Sequence, residues 1–155
     1  MNIRMAKAED AAILTALMHA AFKTTVPPSS ALLETAEAVA KRLTDEKEQA
    51  GICWEGECPV GMVRFQWTED SLYFYRLSVD PDHHGKGIGR SIIRWLHELA
   101  DANGKAALTC RVRMEMEGNM RLYQSEGFIL TQKEIVQREG TPGIPTAHMR
   151  KQVGK

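Results

Sequence analysis

The stretch LSVDPDHHGKGIGRSIIRWLHEL, residues 77–99, constrains this chain more than any other. A short apolar strand ends at Asp80-Pro81, a basic loop spaced by Gly85, Gly87 and Gly89 follows, and a helix begins. Ile92, Leu96, Leu99 and Ala100 recur at helical spacing, Ile93 widens the stripe, and Arg90, Arg94, Glu98 and Asp101 face away. Asn103-Gly104 is a good stop. A glycine loop leaves backbone N–H groups bare, and the positive end of the helix dipole points into the same space. The combination predicts an anion site of a size that suits a diphosphate. The plain alternative is a tight strand-to-helix turn that needs glycine for steric reasons only.

Two other phosphate-binding loops fail on spacing. A P-loop needs Gly, four residues and then Gly-Lys-Ser/Thr. A dinucleotide fingerprint needs G-x-G-x-x-G, whereas Gly85, Gly87 and Gly89 give G-x-G-x-G. Charge narrows the ligand further. The 20 basic and 20 acidic residues cancel, which argues against a binder of nucleic acid or of a membrane surface. No apolar run reaches the length of a membrane span, and MNIRMAKAED has no signal-peptide core. Cys53, Cys58 and Cys110 are odd in number and lack zinc spacing, so reduced thiols in a cytoplasmic protein are expected.

The 155 residues are expected to form one domain. Strands are predicted over residues 3–5, 51–54, 59–67, 72–79, 106–112, 128–136 and 144–153. Helices are predicted over residues 10–22, 32–47 and 119–125, besides the one that follows the glycine loop and stops at Asn103-Gly104. The first helix lacks a good N-cap, because Lys7 or Ala8 stands where Ser, Thr or Asp is preferred; Glu9 and Asp10 offset this by facing the dipole. This order gives a mixed α/β or α+β sheet. The connection through the glycine-loop helix makes its two flanking strands parallel.

With these elements placed, the chain resembles the GNAT superfamily of acyl-CoA-dependent N-acetyltransferases over nearly its whole length. IRMAKAEDAAILTALMHAAF looks like the family's opening strand and helix, and WEGECPVGMVRF like its Pro-Val-Gly hairpin. LSVDPDHHGKGIGRSII is similar to its pyrophosphate motif, and NMRLYQSEGF to its last helix, with Tyr four residues before Gly-Phe. The resemblance implies a central, mostly antiparallel twisted sheet of about seven strands, with a parallel pair splayed at the cofactor site and four flanking helices. It implies acetyl-CoA as cosubstrate, no metal, a primary amine as acceptor, and no nucleic-acid or membrane partner. A homodimer is compatible with it.

The same resemblance implies roles for residues. The strand end at Leu77, Ser78 and Val79 would hold the thioester, with backbone N–H groups near Val79 on its carbonyl. His84, Gly85, Lys86, Gly87, Ile88, Gly89 and Arg90 would hold the diphosphate. His84 departs from the family pattern, which has Gln or Arg there; a neutral His offers one donor where Arg offers five. Asn119 is the asparagine nearest to one that many members carry three residues earlier, where Met116 stands. Tyr123 would be the general acid for the coenzyme A thiolate, since a phenol donates while neutral at pH 7. Its plain alternative is packing against Phe128.

The general base is not legible. Glu69, Asp70, Glu115 and Glu117 are candidates by position, and a water is another. Tyr73 and Tyr75 alternate on their strand and suit either the acceptor pocket or sheet packing. His83-His84 lacks further metal ligands at suitable spacing. His19, His97 and His148 read as surface or satisfied polar residues, and Cys110 as a small buried apolar group. The acceptor is expected at residues 23–30, at the second helix and at residues 139–143. Rival readings are another acyl-CoA, a hydroxyl acceptor, or an acyl-CoA-binding module without turnover.

Overall fold

A computed structural model describes residues 1–25, 28–45, 47–137, 140 and 142–154. Among these the strands are β1 (Asn2–Met5), β2 (Gln49–Glu55), β3 (Cys58–Trp67), β4 (Ser71–Val79), β5 (Ala107–Arg113), β6 (Ile129–Val136) and β7 (Ile144–Gln152). The α-helices are α1 (Ala11–Phe22), α2 (Ala36–Thr44), α3 (Ile88–Ala102) and α4 (Glu117–Ser125). The fold is mixed α+β, with one seven-stranded sheet in the order β1-β2-β3-β4-β5-β7-β6. β4 and β5 are parallel, in the register Ser71↔Ala107, Leu72↔Leu108 and Tyr73↔Thr109. That is the outcome expected when a helix connects two strands of one sheet.

The chain divides into two compact units, Met1–Gln66 with Phe74–Trp95, and Trp67–Tyr73 with Leu96–Lys155. In the first, α1 turns Leu14, Leu17 and Met18 onto Ala50, Ile52 and Met62 of the sheet, with Val39 of α2 alongside. Fully burying Leu14 or Met18 is worth roughly 1.5–3 kcal/mol each, so packing outweighs any weakness of the cap. No side chain caps the start of α1, as expected. The Asp10 carboxylate instead accepts from the Lys7 N–H at 2.9 Å across the 3-10 turn Ala8–Asp10 that leads into it.

The second helix is shorter than its spacing suggests. Residues 30–33 make a 3-10 turn, Glu34 is extended, and Thr35 caps α2 by accepting from the Ala38 N–H at 3.2 Å. A threonine hydroxyl in reach of a helix start competes with continuation of the turn before it.

On the other face of β2 and β3, the start of α3 rests on bare backbone. A Cβ at Gly51 would lie 2.7 Å from the Trp95 ring, and one at Gly61 would lie 2.8 Å from Ile88 and 3.1 Å from the Ser78 carbonyl oxygen. Trp95 also meets the Phe65 ring edge-on, with centroids 6.1 Å apart. Close packing here fixes the height of the helix start.

In the second unit, β7 pairs antiparallel with both β5 and β6, and β6 is the outermost strand. Leu96 and Ala100 of α3, Leu108 and Cys110 of β5, and Ala147 and Met149 of β7 are buried. No described helix is long and apolar enough to cross a membrane.

Candidate functional site

The loop between β4 and α3 is built from its ends. The Asp80 N–H closes onto the Val60 carbonyl at 2.8 Å, and the Asp80 carboxylate accepts from the Asp82 N–H at 3.0 Å. The chain makes one 3-10 turn over Pro81–His83 and runs extended through the exposed His84. Gly85 and Gly87 then take φ values of 80° and 74°, a region costly for other residues. A Cβ at either would meet nothing within 4 Å. The conformation, and not crowding by neighbouring atoms, is therefore what calls for glycine there, as a tight strand-to-helix turn by itself also requires.

The Gly87 carbonyl accepts from the Ser91 N–H at 3.0 Å, the first bond of α3. The amides of Ile88 and Gly89 lie before that bond and have no carbonyl one turn back to donate to. Ile88 itself is 2% exposed and anchors the turn. Lys86 reaches Glu55 at 3.5 Å, both side chains being about half exposed. Open space over two positive-φ glycines, helix-start amides and a nearby cation together suit an anionic ligand.

Beneath the end of β4 lies a polar cluster that the sequence did not reveal. Arg64, 1% exposed, donates from Nε and Nη2 to Glu48 at 3.0 Å each, and from Nη1 to Glu34 at 2.6 Å. Glu48 is 2% exposed and also accepts from the Tyr75 hydroxyl, which in turn accepts from Gln66 Nε2 at 3.2 Å. Burial works against the Arg64 charge, but Glu48 and Glu34 outweigh it and hold the guanidinium above its ordinary range. Burial, then the bond to Glu48, pushes the Tyr75 phenol well up, so it stays a donor. Tyr75, expected at an acceptor pocket or in packing, thus belongs to this network. Nothing in the sequence links Glu48 with Arg64, because each alone reads as a solvated charge.

In the second unit, Tyr123 of α4 is 4% exposed and packs on Phe128, with ring centroids 5.5 Å apart. Burial, with a smaller contribution from Cys110, pushes its phenol well above the ordinary value. Burial also pushes the Cys110 thiol up to about 12, so it stays protonated. Asn119 Nδ2 lies 4.0 Å from Met116 Sδ on the same helix.

The candidate bases are not gathered. Asp70 accepts from Ser71 Oγ at 2.9 Å and lies 3.5 Å from Arg150; Glu115 pairs with Arg113 and Glu117 with Arg121. Glu69 offers its carbonyl to Lys105 at 3.2 Å. His19 Nε2 meets the Glu34 carbonyl at 2.9 Å and His148 Nε2 meets Glu134 at 2.7 Å, as satisfied polar residues do. His97 differs from that expectation: its Nδ1 is buried with no hydrogen-bond partner among the described residues. Among the described residues no group of three or more His, Cys, Asp or Glu side chains is placed to hold a metal ion. Of the expected acceptor loops, Val26, Pro27, Glu139 and Thr141 lie outside the described residues.

The model of the acetyltransferase (GNAT) family matches residues 14–128. Over 64 residues the chain is 34% identical to the L-amino acid N-acyltransferase MnaT of Escherichia coli K12, a match covering 41% of this chain and 34% of that protein. Over 70 residues it is 31% identical to the ribosomal protein bS18-alanine N-acetyltransferase of the same organism, covering 43% and 47%. The match thus spans about a third to a half of these relatives' lengths. Among solved structures, yncA of Salmonella typhimurium, determined with its cofactor acetyl-CoA, superposes with a TM-score of 0.84 at 21% identity, covering 100% of this chain and 95% of that one. The E. coli ribosomal-protein-S18-alanine N-acetyltransferase gives 0.83 at 17%, covering 99% and 94%.

Proposed function

Because this chain belongs to the acetyltransferase (GNAT) family, we propose that it transfers an acetyl group from acetyl-CoA to a primary amine, with the loop of residues 84–90 holding the diphosphate. The observation that carries the reading is the pair of positive-φ glycines placed directly before the start of α3. Two of its curated relatives support the amine acceptor, one being named for an L-amino acid and the other for an alanine of ribosomal protein bS18.

In this reading Ile88 and Gly89 present amide donors to the diphosphate, and Lys86, His84 and Arg90 supply polar or cationic contacts around it. Bound acetyl-CoA supplies an acyl group activated as a thioester. The backbone at Leu77, Ser78 and Val79 orients that group, and an N–H near Val79 stabilises negative charge on its carbonyl oxygen. Asn119 is kept as a further contact from α4. Tyr123 Oη retains its proton near neutral pH and gives it to a departing sulfur.

Gly87→Asp and Gly89→Val are expected to weaken acetyl-CoA binding at least tenfold, about 1.4 kcal/mol, with cooperative melting retained. Titration calorimetry on the folded variants decides it, and unchanged affinity removes the loop from the site. His84→Arg is expected to bind acetyl-CoA as tightly as the parent or up to about tenfold tighter, since a charge-assisted hydrogen bond is worth roughly 1 kcal/mol more than a neutral one. Weaker binding in the same titration would show that position 84 does not face phosphate. Coenzyme A release with a panel of amines then separates an enzyme from a module that binds without turnover.

A further inference from the structure

We propose that Arg76 is a positioning residue: its left-handed backbone sets the course of the end of β4, and its guanidinium clamps that course to the segment following α1. Among the described residues it alone, apart from glycines, has a positive φ, 55°, and it has it inside a strand. Such a conformation is uncommon for a long side chain and persists only where the surroundings determine it more than once.

Here they do so from both sides. On the backbone, the Arg76 carbonyl accepts from the Ser78 hydroxyl at 2.9 Å, and Ser78 is 1% exposed. On the side chain, Arg76 Nε donates to Glu34 at 3.0 Å, Nη2 to Ser30 Oγ at 3.0 Å and Nη1 to Ser29 Oγ at 3.4 Å. Glu34 cannot swing away easily, because its other oxygen is held at 2.6 Å by the buried Arg64. Ser29 is itself 5% exposed and accepts from the Ala31 N–H, so the far end of the clamp is also fixed.

A single left-handed residue turns the peptide that follows it away from the strand's regular hydrogen-bonding direction. The groups affected here are those of Leu77, Ser78 and Val79. This inference rests on the reading of that strand end as the thioester site, and it explains why an arginine is used. Glycine would adopt the same φ more cheaply but would leave the segment after α1 unattached.

The test separates backbone from clamp. Arg76→Gly keeps the φ and removes all three side-chain bonds. It is expected to raise the acetyl-CoA dissociation constant at least tenfold and to speed amide exchange at Leu77, Ser78 and Val79 at least tenfold, while amides of β1 and β2 exchange as in the parent. Arg76→Lys keeps a cation near Glu34 but cannot serve three acceptors, and it is expected to lie between. It carries the test if the glycine variant does not fold. Parental affinity and exchange in these variants overturn the proposal. So does exchange that rises uniformly, which would make Arg76 a general structural contact. If the parent itself fails to bind acetyl-CoA, the functional reading falls, and the exchange pattern alone still judges the clamp.

Discussion

Glu48→Ala is expected to lower unfolding free energy by about 3–5 kcal/mol, the cost of leaving one partner of a buried ion pair uncompensated. For a chain of this length that corresponds to a melting temperature roughly 6–20 °C lower. The reason is the position of Arg64, whose guanidinium is 1% exposed and donates two of its hydrogen bonds to Glu48. Glu34 would remain, with one bond, and Tyr75 would lose the acceptor for its hydroxyl. The double variant Glu48→Leu/Arg64→Met is expected to recover much of the loss, since apolar replacement of both partners is often close to neutral. Urea unfolding of the two variants is the measurement. A single variant within about 1 kcal/mol of the parent would mean that water reaches the guanidinium and takes over the hydrogen bonds that Glu48 accepted.

The second large effect is expected at Tyr123. Tyr123→Phe keeps the ring against Phe128 and removes only the hydroxyl, so the packing of α4 survives. If the phenol donates to the departing sulfur, turnover falls about a hundredfold, the lower range for loss of a general acid. Acetyl-CoA affinity changes little, because the lost bond strengthens mainly in the transition state. The upward shift of the phenol by burial has a definite sign. It keeps the proton on oxygen at neutral pH, so the group acts by donating as charge develops on sulfur and not by ionising beforehand. Steady-state rates with an amine that is turned over, set beside a calorimetric titration, decide the matter. Near-parental turnover would make water the proton source and leave Tyr123 as core. Joint loss of binding and turnover would make it a contact to the cofactor.

What could be read beforehand follows from how local each signal is. The glycine loop and α3 were legible because apolar spacing, glycines and a helix stop lie within a few residues of one another. The parallel pairing of β4 with β5 followed from connectivity alone. The start of α2 was misplaced because Thr35 competes for the same turn, and apolar spacing does not register a hydroxyl's choice of partner. The Glu48–Arg64 pair was invisible because its members stand 16 residues apart and no apolar pattern marks a buried charge. Arg76 was invisible for a different reason: positive φ is foreseen from glycine, asparagine or aspartate, and an arginine held there by tertiary contacts carries no such mark. The role proposed for Tyr123 comes from likeness to a family, whereas its packing against Phe128 is the plain reading of the sequence and is what the fold shows.

The glycines under α3 have a consequence for how such a protein can change. Sheet and helix meet at Gly51 and Gly61 with no room for even one more methyl group. The usual gain from exchanging glycine for alanine, a stiffer unfolded chain, is closed there, because the added carbon would press on Ile88 in the first turn of the helix at Gly61 and on the Trp95 ring at Gly51. If the loop holds the diphosphate as proposed, stability and ligand grip are mechanically coupled at Gly61. In that reading, adjustment of affinity is left to the exposed side chains of the loop at positions 84 and 86, which can be exchanged without disturbing the bearing on which the helix sits.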